Sequence, residues 1–482
     1  MRSMSNTQPK NWRPGRSSSD PAREVVFETL LAVAEDDAYA NLELPKSIRR
    51  ARLNKQDAAY ATNLCYGTLR FQGRWDAIIA HGTAGRAIDT LDLPVLVLLR
   101  MGTHQLLEFD TPAHAAIYET VKLARNTLGS GASGFINAVL RRVSERSLAQ
   151  WQAVLREDFG GKTSSLGFIA TWFSHPEWIV RVLAKSLLAN GRSKKDIISV
   201  LKADNAPADV ALVAREISTD ELCRDIERGR MQCDQGKLVD SAVLLRGGDP
   251  HRVFAVQDLQ AGVQDEGSQL VARAFAATPI DGKDELWLDM CAGPGGKTAT
   301  LAAIAAQRGV KIHANEPHEH RLDLVQSAIE PWDDIVALRL GDGREIGDLE
   351  PQCYDRILVD APCTGIGALR RRPEARWRKA AGDAVDLTHL QSELLESAWK
   401  AVRSGGIVAY STCSPHLAET RDIVKNFLDQ HADAELLDGP AIAAREAKLD
   451  NLGHEKQIQL WPDLHFSDAM YMAIIRKSET AS

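Results

Sequence analysis

From about residue 261 onward the chain alternates short apolar runs with segments of helical spacing, and this rhythm restricts the fold more than any other feature. Leu286–Cys291, Lys311–Asn315, Ile335–Leu340, Arg356–Val359 and Gly406–Ser411 read as buried strands. Thr298–Ala306, His318–Ala328, Leu387–Val402 and Glu419–Gln430 read as helices. The alternation predicts a Rossmann-like α/β domain with a doubly wound, mostly parallel sheet. A last apolar run, Ala469–Ile475, is expected to add an antiparallel edge strand. Parallel strands end along one edge, and three of these end in chemistry. Cys291-Ala292-Gly293-Pro294-Gly295-Gly296-Lys297-Thr298 follows the first, Asp360-Ala361-Pro362-Cys363 closes the fourth, and Ser411-Thr412-Cys413 closes the fifth. That places two thiols and a glycine-rich turn around one cleft.

The rest of the 482 residues divides by pattern. Residues 1–20 are polar and read as a flexible leader without the apolar core of a secretory signal. Residues 21–147 read as an all-α domain, with an apolar face at Val25, Val26, Phe27, Leu30 and Leu31 and a buried helix over Leu93–Leu107. Thr111-Pro112 is expected to open a helix, with the hydroxyl as N-cap and proline at the first helical position. Gly129–Gly134 should interrupt the pattern before Phe135–Arg142 resumes it. Residues 148–260 read as a small α/β connecting domain, with helices over Trp172–Leu183 and Thr219–Arg228 and a strand over Val210–Val213. Residues 261–478 form the expected Rossmann-like domain.

Net charge is −7, but it is uneven: residues 1–150 hold 19 Lys and Arg against 15 Asp and Glu, and residues 151–482 hold 39 against 50. Overall acidity therefore does not exclude a nucleic-acid partner, because phosphate contacts depend on local basic surface. No stretch reaches the roughly 20 apolar residues a membrane span needs. Seven cysteines without a pairing pattern point to reduced thiols in a cytoplasmic protein. No Cys/His spacing fits a zinc site, so no metal is expected.

The glycine-rich turn fits neither generic phosphate loop. A Walker A loop needs glycine where Cys291 stands, and a dinucleotide fingerprint starting at Gly293 needs glycine at Thr298. What remains is a strand-to-helix turn where backbone can approach a ligand and a helix N-terminus can receive a carboxylate. Glu316 follows the second strand, where an acid can bind ribose hydroxyls, and Asp342 follows the third, within reach of a heterocycle's amino group. Adenosine plus a carboxylate, without phosphates, describes S-adenosyl-L-methionine; acids that merely cap helices are the plain alternative.

With DMCAGPGGKT, VDAPCTGIGALRRRPEARW and YSTCSPHLAET in hand, the chain resembles the Sun/Fmu (NSUN) family of S-adenosylmethionine-dependent RNA cytosine-5 methyltransferases. LNKQDAAYATNLCYGTLR and GFINAVLRRV resemble the NusB-like RNA-binding domain, which points to the bacterial branch of ribosomal small-subunit methyltransferase B type. The resemblance spans about residues 21–477. It implies that Cys413 is the nucleophile and that Cys363 acts in release. It places the cofactor against Cys291, Ala292, Gly293, Pro294, Gly295, Gly296 and Lys297, and against Glu316, Asp342 and Asp360. Two departures stand out: Gly293 replaces the family's usual alanine, which is expected only to widen backbone freedom, and Pro415–Ala418 replace the usual continuation before Glu419.

The implied chemistry explains the residue types. Cytosine C5 is a poor nucleophile until a thiolate adds at C6, and the thiolate must later leave, so a soft group that both attacks and departs well is required. Asp360 is the expected contact to cytosine N3, where charge develops. Alone, either cysteine would more often be an apolar filler. After the Cys363 motif, residues 370–379 carry six basic side chains and one aromatic, Trp377. Arg370, Arg371, Arg372, Arg376, Arg378 and Lys379 are expected to contact RNA, a solvated basic loop being the alternative. Trp172-Phe173-Ser174-His175-Pro176-Glu177-Trp178 is expected to pack at an interdomain joint. The expected substrate is small-subunit (16S) ribosomal RNA, with no membrane and no obligate protein partner. Transfer-RNA methylation, and a non-catalytic RNA-binding assembly or antitermination factor, are the alternatives.

Overall fold

In the computed structural model, residues 20–478 are described; the expected leader lies outside them but for Asp20. The chain forms two compact units, one of residues 20–176 with Arg372–Glu374, the other of the remaining described residues.

The first unit is helical throughout its described residues. Its core is built from Val26, Leu64, Trp75, Ile78, Leu98, Leu99 and Ile136, all with no exposed surface. Leu93–Glu108 is the expected buried helix, its apolar positions surrounded by the others. Three local expectations are corrected. The helix Ala113–Leu128 takes Pro112, not Thr111, as its N-cap, and has no side-chain cap bond. Gly129, at φ 92°, is the whole of the expected break, and Ser130–Ser144 is one helix that contains Gly131 and Gly134. Glycine within a helix costs only about 1 kcal/mol, which the packing of Ile136, Val139 and Leu140 outweighs. The Trp172–Leu183 helix is likewise two helices, Leu166–Trp172 and Glu177–Ala189, parted by Ser174 at φ 57° and by Pro176. Trp172 stacks on the Arg74 guanidinium at 4.2 Å, and Ser174 is fully buried, so this segment packs.

The second unit holds two sheets. The smaller is antiparallel, with β1 (Val210–Ala214), β2 (Cys233–Gln235), β3 (Ala242–Leu245) and β4 (Ala261–Val263) in the order β2-β3-β1-β4. The larger begins with β5 (Leu286–Asp289), β6 (Lys311–Glu316), β7 (Val336–Leu340), β8 (Tyr354–Asp360) and β9 (Val402–Thr412), all parallel. It is completed by β10 (Ala434–Leu436), β11 (Gly453–His454), β12 (Gln457–Gln459) and β13 (Tyr471–Lys477). The order β11-β12-β13-β9-β8-β5-β6-β7 makes β13 an interior antiparallel strand, not the expected edge, because β12 and β10 also pair with it. The parallel order runs outward from β5 in both directions, so the crevice between β5 and β8 lies where the winding reverses, the place where such sheets bind ligands.

Candidate active site

The glycine-rich turn follows β5 directly. Gly295, at φ 100°, caps the helix Gly296–Arg308 in the left-handed region that side chains avoid. Gly293 does more than widen backbone freedom: a Cβ there would stand 2.3 Å from Glu316 Oε2, the atom that accepts its N–H at 3.2 Å. Glu316 is almost wholly buried at the end of β6, and its other oxygen accepts from the His318 N–H. Arg321 donates to the Gly293 carbonyl at 2.6 Å. Turn and acid therefore form one frame. Asp342 is not joined to it: its carboxylate accepts from the Arg344 N–H and guanidinium, which hold it below the ordinary carboxylate range despite burial.

Beneath the turn, Thr298 donates to Asp289 at 2.7 Å. Burial pushes Asp289 up to about 6, against that hydrogen bond and with the Asp360 charge adding to the rise. Burial also pushes the Cys291 thiol well above its usual range, with Asp289, Asp360 and Glu316 adding to it, so Cys291 stays a neutral wall of the turn.

β8 and β9 are neighbours in register, Asp360 opposite Ser411, so their C-terminal loops must meet. They bring Cys363 Sγ within 3.5 Å of Cys413 Sγ, both as free thiols. Lys297 reaches Asp360 Oδ2 at 2.8 Å, and Ser411 donates to Oδ1 at 2.9 Å. Burial draws the Lys297 ammonium down, but Asp360 more than offsets this and holds it above its usual range. The two thiols shift in opposite directions. The hydrogen bond from Cys363 lowers Cys413, opposed by burial and Asp360 and supported by Lys297. That same bond, then burial and the Glu419 charge, raises Cys363 well above the ordinary thiol. Of the two thiols, Cys413 is the easier to ionise and Cys363 the one that keeps its proton.

Several contributors escape sequence reasoning. Glu419, fully buried, accepts from the Thr364 N–H at 2.7 Å and hydroxyl at 2.5 Å, from Ser414 at 2.6 Å and from Gln391 at 3.3 Å. It ties the residue after Cys363 to the residue after Cys413. Gln391 also donates to the Pro362 carbonyl at 2.8 Å. The only sequence signal for this clip was an acid at position 419.

The basic segment needs correction. Arg370 and Arg371 both pair with Asp265 and Asp468, at 3.2 Å and 3.0 Å to Asp468. Arg376 has no exposed surface and donates to Asn205 at 2.8 Å. These three are turned inward, because desolvated guanidinium groups require partners, which Asp265 and Asp468 supply to Arg370 and Arg371 and Asn205 supplies to Arg376. Arg372 and Trp377 are exposed, and Arg378 and Lys379 are half-buried.

A family model described as 16S rRNA methyltransferase RsmB/F matches residues 278–476, and a NusB family model matches residues 20–145. A Mycobacterium tuberculosis protein named as a methyltransferase is 44% identical over 97% of this chain and 99% of its own length. The ribosomal RNA small subunit methyltransferase B of Shigella flexneri is 30% identical over 89% of this chain and 92% of its own. The chain belongs to the RsmB/F methyltransferase family. It is an RNA methyltransferase with an N-terminal NusB domain. The crystal structure of PH0851, at 20% identity and TM-score 0.76, shares the fold over 96% of this RsmB/F chain and 100% of its own. No helix among the described residues is long and apolar enough to cross a membrane, and no group of three or more His, Cys, Asp or Glu among them could hold a metal.

Proposed function

We propose that this RsmB/F protein methylates C5 of a cytosine in small-subunit ribosomal RNA through a covalent bond between Cys413 and C6, using S-adenosyl-L-methionine. The observation that carries the reading is the 3.5 Å approach of two thiols with opposite proton preferences at the ends of adjacent parallel strands. The cofactor fits the frame: the closed space at Gly293 brings backbone, not side chain, against the Glu316 carboxylate, which suits a ribose diol. Residues 291–297, Glu316 and Asp360 would hold it, and it supplies an electrophilic methyl group on a cationic sulfur. Asp342 remains a proposed adenine contact that must exchange Arg344 for the ligand.

The chain's own residues do the remaining work. Cys413 thiolate adds to C6, and the C5=C6 electron pair moves into the ring, leaving C5 nucleophilic. Asp360, fixed by Lys297 and Ser411, would hold a proton at N3, where negative charge develops. After C5 carries the methyl group, its proton passes to a water molecule, the C5=C6 double bond re-forms and the C6–S bond breaks, its electron pair leaving on the Cys413 thiolate. Cys363 acts at that release. A target base within paired RNA must be extruded first. Exposed Arg372 and Trp377, with Arg378 and Lys379, are the proposed RNA contacts left in the basic segment.

The test supplies methyl-labelled cofactor with naked ribosomal RNA, transfer RNA and assembled subunits, followed by bisulfite sequencing of the product. Labelled 5-methylcytosine in small-subunit RNA is expected. Label only in transfer RNA would move the substrate, and none from folded protein in any RNA would remove the proposed activity.

A further inference from the structure

Arg215 stands half-buried just past β1 in the small sheet, and its environment is unlike that of the buried arginines here. Arg356 pairs with Asp284 at 2.7 Å, Arg74 with Glu108 at 3.1 Å, and Arg370 with Asp468 at 3.2 Å. Arg215 has no ion pair or side-chain hydrogen bond to any described residue. Its Nε is buried without an acceptor, whereas the two terminal nitrogens, equally without partners, are not sealed from solvent. The guanidinium is seated over Gly262: a Cβ there would come within 2.4 Å of Nη2 and 2.7 Å of Cζ. β4 thus leaves room for this one side chain. Burial alone lowers Arg215 to about 10, with no acid to offset it. An arginine keeps its charge in such a place, and a guanidinium with a sealed Nε, open terminal nitrogens and no counter-charge is placed to receive an anion.

Strand parity places the group. Leu212 belongs to the apolar cluster under the helix Thr219–Arg228, with Leu222, Ile226 and Val243. Val213 therefore lies on the opposite face of β1, with Gly262 paired beside it, and Arg215 continues that face. Two residues beyond Gly262, Gln264 accepts from Thr300 at 2.6 Å, in the helix that leaves the cofactor turn. Arg215 thus lies at the end of the face that Val213 and Gly262 share, opposite the helix Thr219–Arg228.

We propose that Arg215 is an RNA phosphate site, its open terminal nitrogens gripping a phosphodiester of the substrate beside the catalytic half. The proposal rests on RNA being the substrate. The fork geometry of a guanidinium suits two phosphate oxygens, and the seat on Gly262 fixes its plane in advance.

The test measures equilibrium binding of a small-subunit ribosomal RNA fragment to the full chain across a salt series, for wild type, Arg215→Gln and Arg215→Lys. Losing one phosphate contact should reduce the slope of log affinity against log salt by about 0.7–0.9 and weaken binding about four- to fivefold near 0.15 M salt. Arg215→Lys should recover most of the slope, and thermal melting of each variant separates a folding defect from a lost contact. An unchanged slope in folded Arg215→Gln would overturn the proposal. So would a loss of S-adenosylmethionine affinity with RNA affinity intact, which would make the anion the cofactor's carboxylate. A wild-type chain that binds no RNA would instead sink the reading beneath it.

Discussion

The loops that carry Cys363 and Cys413 leave adjacent parallel strands, and their sulfurs touch, yet the two thiols shift in opposite directions. Their backbones do not explain this; their neighbours do. Cys413 receives a hydrogen bond and feels the Lys297 ammonium. Cys363 shares that bond and feels the buried Glu419 carboxylate. The bond between the two sulfurs is the largest influence on each, with Lys297 lowering Cys413 against burial and Asp360, and Glu419 adding to the rise of Cys363. The proposed roles of attacker and releaser follow that asymmetry.

The severest way to break the comparison is to remove each thiol in turn. Cys413→Ala should lower methyl transfer by ~10³-fold or more and form no covalent RNA–protein complex, as loss of a covalent nucleophile does. Cys363→Ala should let that complex accumulate, visible as a denaturant-resistant band. A complex in the first variant and none in the second would exchange the two roles.

Glu419→Gln sharpens the comparison from the Cys363 side. It keeps the shape of the clip but removes the charge and turns one acceptor into a donor facing the Thr364 and Ser414 hydroxyls. Breaking a charged, buried hydrogen-bond set costs about 1.5–3 kcal/mol, so kcat should fall roughly 10- to 100-fold. Alkylation mapped by mass spectrometry should become less selective for Cys413. Equal selectivity with reduced kcat would leave Glu419 a purely mechanical clip.

Lys297→Met tests the other side. Without the ammonium the Cys413 thiol should rise, and because the thiolate is the active form, the ascending limb of the pH–rate profile should move to higher pH. The expected result is a lower kcat at pH 7 that recovers as the pH is raised. A loss independent of pH would assign Lys297 to cofactor binding alone.

The comparison also marks what the sequence could tell. The turn at 291–297 and both cysteines were legible because their chemistry is local: glycine freedom, strand ends and a thiol lie within a few residues of one another. The Glu419 clip was not, since Gln391, Thr364 and Ser414 meet only after helix and strand have packed. Arg370 and Arg371 look like an RNA-facing run until Asp265 and Asp468, both about 100 residues distant, claim them. β13 resembled an edge because β11 and β12 span two and three residues, too few for periodicity to register.

The smallest predicted effect lies beneath the cofactor turn and asks whether the field around Cys413 reaches the strand itself. Burial holds Asp289 at about 6, above the 3.8 of an unperturbed aspartate. A raised carboxyl binds its proton more tightly when folded, so its favourable contribution is complete below pH 3.8 and is lost as pH rises through 6. Asp289→Asn removes the titration while keeping the size. Between pH 5 and pH 7.5 the variant should therefore gain about 1.4 kcal/mol on wild type in urea unfolding, most of it by pH 7. Comparing the two proteins at each pH cancels every other titrating group. A constant difference would mean that Asp289 ionises as freely in the folded chain as in the unfolded one. Asp360 and its Lys297 partner would then act on the thiols without disturbing the strand below.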